Sequence, residues 1–228
     1  MIFKQVFDQK SSTYTYLIAS AEGREALIID PVLENVVDYI KLLKELNLNL
    51  VKVIDTHIHA DHVTGASKLK DLTKCSTIMG EYTPAEAVEI KVQDDEYIHL
   101  DNLKIRAMHT PGHTSDSFSF LMDNYLFSGD TLLINGTGRT DFQNGNSKDA
   151  YNSLFNRLLK LPDETLLYPA HDYKGETVST IGKEKKFNPR LQVRNVEEYI
   201  EIMKNLNLKK PTEIDFNIAS NLKLGVSI

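Results

Sequence analysis

The sequence predicts an α/β fold: two mixed β-sheets packed face to face, with helices on both outer faces. Two observations carry this. Apolar segments of strand and helix period follow one another in the order strands, helix, strand, helix, strands, helix, strand, helix. In a chain of that order each sheet can bury one face centrally and the other under helices. The second observation is where the polar groups fall. Each prominent histidine or aspartate lies just past the end of an expected strand, where loops gather distant residues onto one rim. No repeat, low-complexity tract or glycine-rich linker divides the 228 residues, so one domain over 1–228 is expected.

The elements follow in order. Strands are expected over Ile2–Phe7, over Thr13–Ile18 with its alternating Tyr and Thr, and over Ala26–Ile29, which ends in Asp30-Pro31. Val36, Val37, Ile40, Leu43 and Leu46 recur at helical spacing, and Asn47 stands where that helix would stop. Leu50–Ile54 is nearly continuous in apolar residues, as a strand covered on both faces should be, and it leads directly to His57. Asp61 is expected to cap a helix running from His62 through Leu72. Further strands are read at Thr77–Met79, Tyr97–Leu100, Lys104–His109, Ser117–Met122 and Leu126–Ser128. Ser147 is read as the cap of a helix through Leu159, Leu166–Tyr168 as a last short strand, and Val196–Leu206 as a final helix.

Composition removes several classes of function. Hydrophobic residues make up 41% and charged residues 25%, the balance of an ordinary globular protein. A net charge of -6 gives no electrostatic case for nucleic acid. The densest basic run, Lys183-Glu184-Lys185-Lys186, is interrupted by a carboxylate and reads as a solvated helix face. Cys75 is the one cysteine, so neither an intrachain disulfide nor a zinc-thiolate cluster is expected. No apolar run has the ~20 residues that span a bilayer. The opening Met-Ile-Phe-Lys lacks the plan of a signal peptide, so a reducing cytoplasm is the expected location.

Five of the seven histidines fall in three short segments: Thr-His57-Ile-His59-Ala-Asp61-His62, Pro-Gly-His113 and Pro-Ala-His171. Asp130 lies between the last two in Phe-Ser-Gly-Asp-Thr. A pair of histidines at i, i+2 is common on strands, and an aspartate after glycine usually marks a turn. The joint pattern differs, because several costly polar groups beside apolar strands need partners and a metal supplies them at once. His99 reads as an ordinary strand residue, and His109 as part of its strand or a group behind the ligands. Residue types leave open whether one metal is held or two.

The pattern His57-x-His59-x-Asp61-His62 with His113, Asp130 and His171 resembles the metallo-β-lactamase superfamily, and the resemblance implies its αββα sandwich. In dinuclear members it implies His57, His59 and His113 on one metal, Asp61, His62 and His171 on the second, and Asp130 bridging. The segment Gly136-Thr137-Gly138-Arg139-Thr140-Asp141-Phe142-Gln143 resembles the signature of the persulfide dioxygenases. Tyr168-Pro-Ala-His171-Asp172-Tyr173 and Asn205-Leu-Asn-Leu-Lys-Lys-Pro211 agree with it, as does Ile214-Asp215-Phe216. Thr137 departs from it, standing where members often carry cysteine.

The resemblance implies an iron-dependent oxidoreductase: one Fe(II) per chain on His57, His113 and Asp130, with His59, Asp61, His62 and His171 placed around that triad. The implied reaction is oxidation of glutathione persulfide by dioxygen and water to sulfite and glutathione. Arg139 is the candidate clamp for a glutathione carboxylate, with Tyr173 on the opposite wall and Lys210 a further cation. The persulfide would come from a separate sulfurtransferase (rhodanese) or a sulfide:quinone oxidoreductase of the same pathway. Isolated superfamily domains often pair, so a homodimer is one state open to the chain. The alternative reading is a glyoxalase II-like thioester hydrolase with two metals, acting on S-lactoylglutathione. A third, of another class, is a non-catalytic persulfide- or metal-binding subunit.

Overall fold

Alternating side chains on the strands of this sequence build three apolar layers, and two sheets form between them. The computed structural model describes residues 1–210 and 212–226. The first sheet holds β1 (Ile2–Asp8), β2 (Thr13–Ala19), β3 (Glu25–Ile29), β4 (Asn49–Ile54), β5 (Ser76–Gly80) and β6 (Ile90–Val92), side by side in chain order. Its first three strands pair antiparallel and the rest parallel. The remaining strands are β7 (Tyr97–Leu100), β8 (Leu103–His109), β9 (Phe118–Met122), β10 (Tyr125–Gly129), β11 (Leu132–Leu133), β12 (Gly136–Thr137), β13 (Leu166–Pro169) and β14 (Ser179–Thr180). The second sheet runs β14-β13-β10-β9-β8-β7, parallel only at β10–β13, and β11–β12 is a small separate hairpin.

Period-two alternation decides which layer each residue joins. Tyr16, Ile18, Leu27 and Ile29 point between the sheets, where they meet Phe118, Phe120, Phe127 and Tyr168. The intervening Leu17, Ala19, Ala26 and Ile28 face outward, under α1 (Val36–Glu45) and α2 (Ala66–Thr73). On the far side, Leu126 and Leu167 are covered by α3 (Ser147–Asn156), α4 (Ile181–Phe187) and α5 (Val196–Lys204). The two sheets approach closely where Gly80 ends β5: a Cβ there would stand 2.0 Å from the Phe118 ring. Among the described residues no helix is long and apolar enough to cross a membrane.

The structure corrects several sequence expectations. The helix expected from His62 begins at Ala66, after Gly65, and Asp61 does not cap it. Residues 63–65 are held away from helical geometry by distant partners. Leu33 N–H donates to Val63 O, Gly65 N–H to Pro31 O, and Thr64 N–H to Asn221 Oδ1. Asn146, not Ser147, caps α3, its side chain accepting from the N–H groups of Lys148 and Asp149. Glu184, read as part of a solvated face, is fully buried and accepts from Ser179 Oγ, Asn135 N–H and Asn188 Nδ2.

A helix beyond the expected last one, α6 (Ile214–Asn221), carries the chain back to the first sheet. It buries Asn217, Ser220 and Asn221, so its inward face is polar and the sequence shows no apolar stripe to announce it. Strands β6, β11, β12 and β14 span two or three residues each, too short for a period to register.

Gly80→Ala is expected to destabilise the fold by about 1–3 kcal/mol, the usual cost of overpacking a filled core. The urea midpoint measures this, and an unchanged midpoint would show that the Phe118 ring can move aside.

Candidate metal centre

Strand ends of both sheets deliver the polar groups to one rim. Asp30 follows β3, residues 57–62 follow β4, His113 follows β8, Asp130 follows β10 and His171 follows β13. All five of these histidines are buried. They stay polar and oriented because each has one ring nitrogen tied to the protein.

Asp30 orients two of them. Its Oδ1 accepts Thr56 N–H at 2.7 Å and lies 3.1 Å from His59 Nε2. Its Oδ2 accepts the Thr56 hydroxyl at 3.0 Å, and Thr56 Oγ1 in turn lies 3.0 Å from His57 Nδ1. A carboxylate only accepts, so His59 carries its proton on Nε2. The Thr56 hydroxyl is already given to Asp30, so His57 carries its proton on Nδ1. One buried carboxylate therefore turns His57 Nε2 and His59 Nδ1 toward the rim as lone pairs.

The later candidate ligands use backbone carbonyls in the same role. His113 Nδ1 donates to Arg139 O at 2.8 Å, leaving its Nε2 3.4 Å from Asp130 Oδ2. His171 Nδ1 donates to Ser12 O at 3.0 Å, leaving its Nε2 3.5 Å from both Asp61 Oδ2 and Asp130 Oδ1. His62 Nδ1 meets Asp61 Oδ2 at 2.8 Å, and the same oxygen accepts the Thr13 hydroxyl at 3.1 Å. Gly138 lets the following loop lie against the centre, since a Cβ there would reach within 2.0 Å of Asp130 O.

The donors left over fit a cation. His57 Nε2, His59 Nδ1, His62 Nε2 and Asp130 Oδ1 are buried with no hydrogen-bond partner among the described residues. Leaving several such atoms bare would be costly, and a metal ion satisfies them together. Among the described residues three groups have donor atoms within 4.8 Å of one another: His57, His113 and Asp130; His59, Asp61 and His62; and Asp30, Asp55 and His59, whose two carboxylates are already taken by Thr56 and Thr64. They differ in how engaged their carboxylates are. Asp61 accepts from Thr13 and His62, whereas Asp130 Oδ1 has no such bond.

The electrostatics follow the same division. Burial, then the neighbouring rings of His59 and His113, push His57 well below the usual imidazole range, the neutral form a metal requires. Burial opposes charge on His59 and His171 too, but with no cation present Asp30 and Asp55 raise the first well above the usual range, and Asp130 and Asp61 the second; on His59 Nδ1 that extra proton stands where a metal would bind, so binding releases it. Burial works against Asp61 as an anion, yet His62 and His171 keep its carboxyl well below the usual carboxylate range.

The structure also recruits residues that sequence reasoning passed over. Asp30 reads in sequence only as a strand end; its positive φ of 51° is what folds the carboxylate back beneath the histidine loop. Asn221 Nδ2 donates to the carbonyls of His59 and His62 at 2.8 Å each, and Asn217 Nδ2 to that of Ala60 at 3.0 Å. These latches come from α6, some 160 residues away in sequence, and nothing local in the sequence marks them.

A cavity of about 580 Å³ opens beside the centre, lined in part by Asp61, His113, Asp130 and His171. Arg139 and Tyr173 stand on its wall. Tyr173 is largely exposed and its ring stacks on His171, with centroids 5.9 Å apart. The Arg139 fork is already taken by Asp141 at 2.7 and 2.8 Å, with a further bond to Lys209 O at 2.7 Å. Lys210 lies over the Phe142 ring at 5.4 Å, and it is Lys209 that faces the cavity.

Asp30→Asn is expected to weaken metal binding by roughly 10–100-fold while the chain stays folded, because it disturbs both tautomers at once. Competition with a chromophoric chelator measures it, and unaltered affinity would remove Asp30 from this role. Asn221→Ala should weaken the same affinity less, by releasing the loop without touching the rings.

The comparisons with known proteins agree with this geometry. Residues 9–171 match the family model of the metallo-beta-lactamase superfamily. The human mitochondrial protein named persulfide dioxygenase ETHE1 is 42% identical over 99% of this chain and 89% of its own length. A probable hydroxyacylglutathione hydrolase of Schizosaccharomyces pombe is 33% identical, over 88% of this chain and 89% of its own. The crystal structure of ETHE1 from Myxococcus xanthus superposes with a TM-score of 0.96 at 46% identity, covering 99% of this chain and all of that one (100%). The chain thus belongs to the metallo-beta-lactamase superfamily, in the branch that holds the persulfide dioxygenases.

Proposed function

We propose that this chain is a persulfide dioxygenase: it converts glutathione persulfide, dioxygen and water to glutathione, sulfite and two protons, with one ferrous ion on His57, His113 and Asp130. The observation that carries the reading is the state of that triad. Among the described residues His57 Nε2 and Asp130 Oδ1 have no hydrogen-bond partner, and His113 Nε2 lies 3.4 Å from Asp130 Oδ2, beside a cavity large enough for a small peptide. The similarity to persulfide dioxygenases over nearly the whole chain supports it. Bound there, ferrous iron supplies redox chemistry and open coordination positions at which sulfur and dioxygen can be brought together.

The chain's own residues do the rest. Arg139 O and Thr56 Oγ1 accept from His113 and His57, so neither ring can turn its protonated nitrogen into the centre. Asp61 is engaged by Thr13 and His62, which favours a role in hydrogen bonding around one ion over ligation of a second. His171, its Nδ1 tied to Ser12 O, holds Nε2 3.5 Å from both Asp61 and Asp130, where it can hydrogen-bond groups beside the ion. Tyr173 offers its hydroxyl from the wall of the cavity. A separate sulfurtransferase chain as source of the persulfide, and pairing into a homodimer, extend this reading.

Protein purified without oxygen should carry about one iron per chain and consume oxygen on addition of glutathione persulfide, as a two-histidine, one-carboxylate site predicts. Two zinc ions per chain with cleavage of S-lactoylglutathione, and no oxygen uptake, would overturn the dioxygenase in favour of a hydrolase. His113→Ala should lose iron and activity together.

A further inference from the structure

The charges lining the cavity do not balance within the protein. Its acids are spoken for: Asp61 by Thr13 and His62, Asp130 as a candidate metal ligand, and Asp172 by the N–H groups of Lys174, Gly175 and Glu176. Among its cations, Lys10, Lys174 and Lys209 are exposed, where water satisfies an ammonium. Arg139 is paired with Asp141.

Arg190 is different from all of these. It is half-buried on the cavity wall, and no carboxylate among the described residues lies within ion-pair distance of it. Its side chain donates from Nη1 to Thr137 O. A guanidinium carries five N–H donors in a planar fork, so most of this one remains available. Burial pushes the group below its usual range, with Tyr199 acting the other way, as expected of a charge short of compensation.

The arm is fixed before any ligand arrives. Arg190 N–H is bound to Asn188 Oδ1 at 3.1 Å. Asn188 is fully buried and gives its amide to Gly136 O at 2.8 Å and Glu184 Oε2 at 2.9 Å. Glu184 also takes the N–H of Asn135, so one buried network sets both the hairpin that walls the cavity and the root of the arginine. A fork held at root and tip loses little freedom on binding an anion.

We propose that Arg190 determines substrate choice: its free donors bind a carboxylate of the thiol that carries the persulfide, and the enzyme therefore prefers carboxylate-bearing persulfides to neutral ones. This rests on the cavity being the persulfide site described above. Arg139, its fork closed on Asp141, shapes the wall from the other side.

The experiment is a cycle of two proteins and two ligands. Glutathione persulfide and its diethyl ester, with both carboxylates blocked, are compared on wild type and Arg190→Met by oxygen uptake. Wild type should prefer the acid by about tenfold or more in kcat/KM, chiefly through KM, as a charge-assisted hydrogen bond predicts. Arg190→Met should lose that preference while handling the ester as wild type does, and Arg190→Lys should recover part of it. Equal use of acid and ester by wild type overturns the proposal whether or not the variants fold. So does an Arg190→Met protein that weakens acid and ester alike, which would mark a merely structural arginine. Calorimetric titration with glutathione and glutathione diethyl ester repeats the cycle without turnover. If wild type consumes no oxygen but binds the acid more tightly through Arg190, the dioxygenase reading fails and the role of Arg190 stands.

Discussion

Buried lone pairs that the protein itself leaves without donors are the constraint on which this structure turns. Imidazole nitrogens of His57, His59 and His62 and an oxygen of Asp130 meet at the end of an apolar sandwich with no protein partner. Such atoms are tolerable only if something binds them, because desolvation of a bare acceptor costs more than most single contacts return. The other ring nitrogens of these histidines are engaged by Thr56, Asp30 and Asp61, as those of His113 and His171 are by Arg139 O and Ser12 O. The result is a set of donors that cannot satisfy one another by rotating, which is what pre-organises a metal centre.

The sandwich exists to hold that set still. Inward side chains such as Tyr16, Phe118, Phe120 and Phe127 lock the two sheets together, and the sheets fix where each strand ends. Since the candidate ligands follow β4, β8, β10 and β13, a slip of either sheet would pull them apart. The outer helices do more than cover apolar faces. From α6, Asn217 and Asn221 hold the backbone of the histidine loop, and from α4, Glu184 and Asn188 hold the hairpin beside the cavity. These polar residues are buried because their work is inside.

Charge is arranged in two zones. Around the centre, acids and imidazoles compensate one another within a few ångströms, so a cation can be taken up without stranding an anion. Toward the cavity the excess is positive, on lysines in water and on one half-buried arginine. A chain whose net charge is -6 thus presents the cavity beside its candidate metal centre with the opposite sign, which favours entry of a small anion over what the molecule's overall charge suggests.

The sequence by itself determined the architecture and which side chains gather as candidate ligands. Strand and helix periods report local burial, and His57, His59, Asp61, His62, His113, Asp130 and His171 advertise themselves by chemical type, so both survive translation into one dimension. Tertiary structure alone decided how those residues are used. Asp30 as tautomer anchor, Asn221 as latch, Glu184 as buried support, and the different fates of Arg139 and Arg190 depend on partners far away in the chain. An arginine reads the same in sequence whether or not a carboxylate is waiting beside it. Only the folded neighbourhood shows which guanidinium is paired with a carboxylate and which, among the described residues, has none within reach.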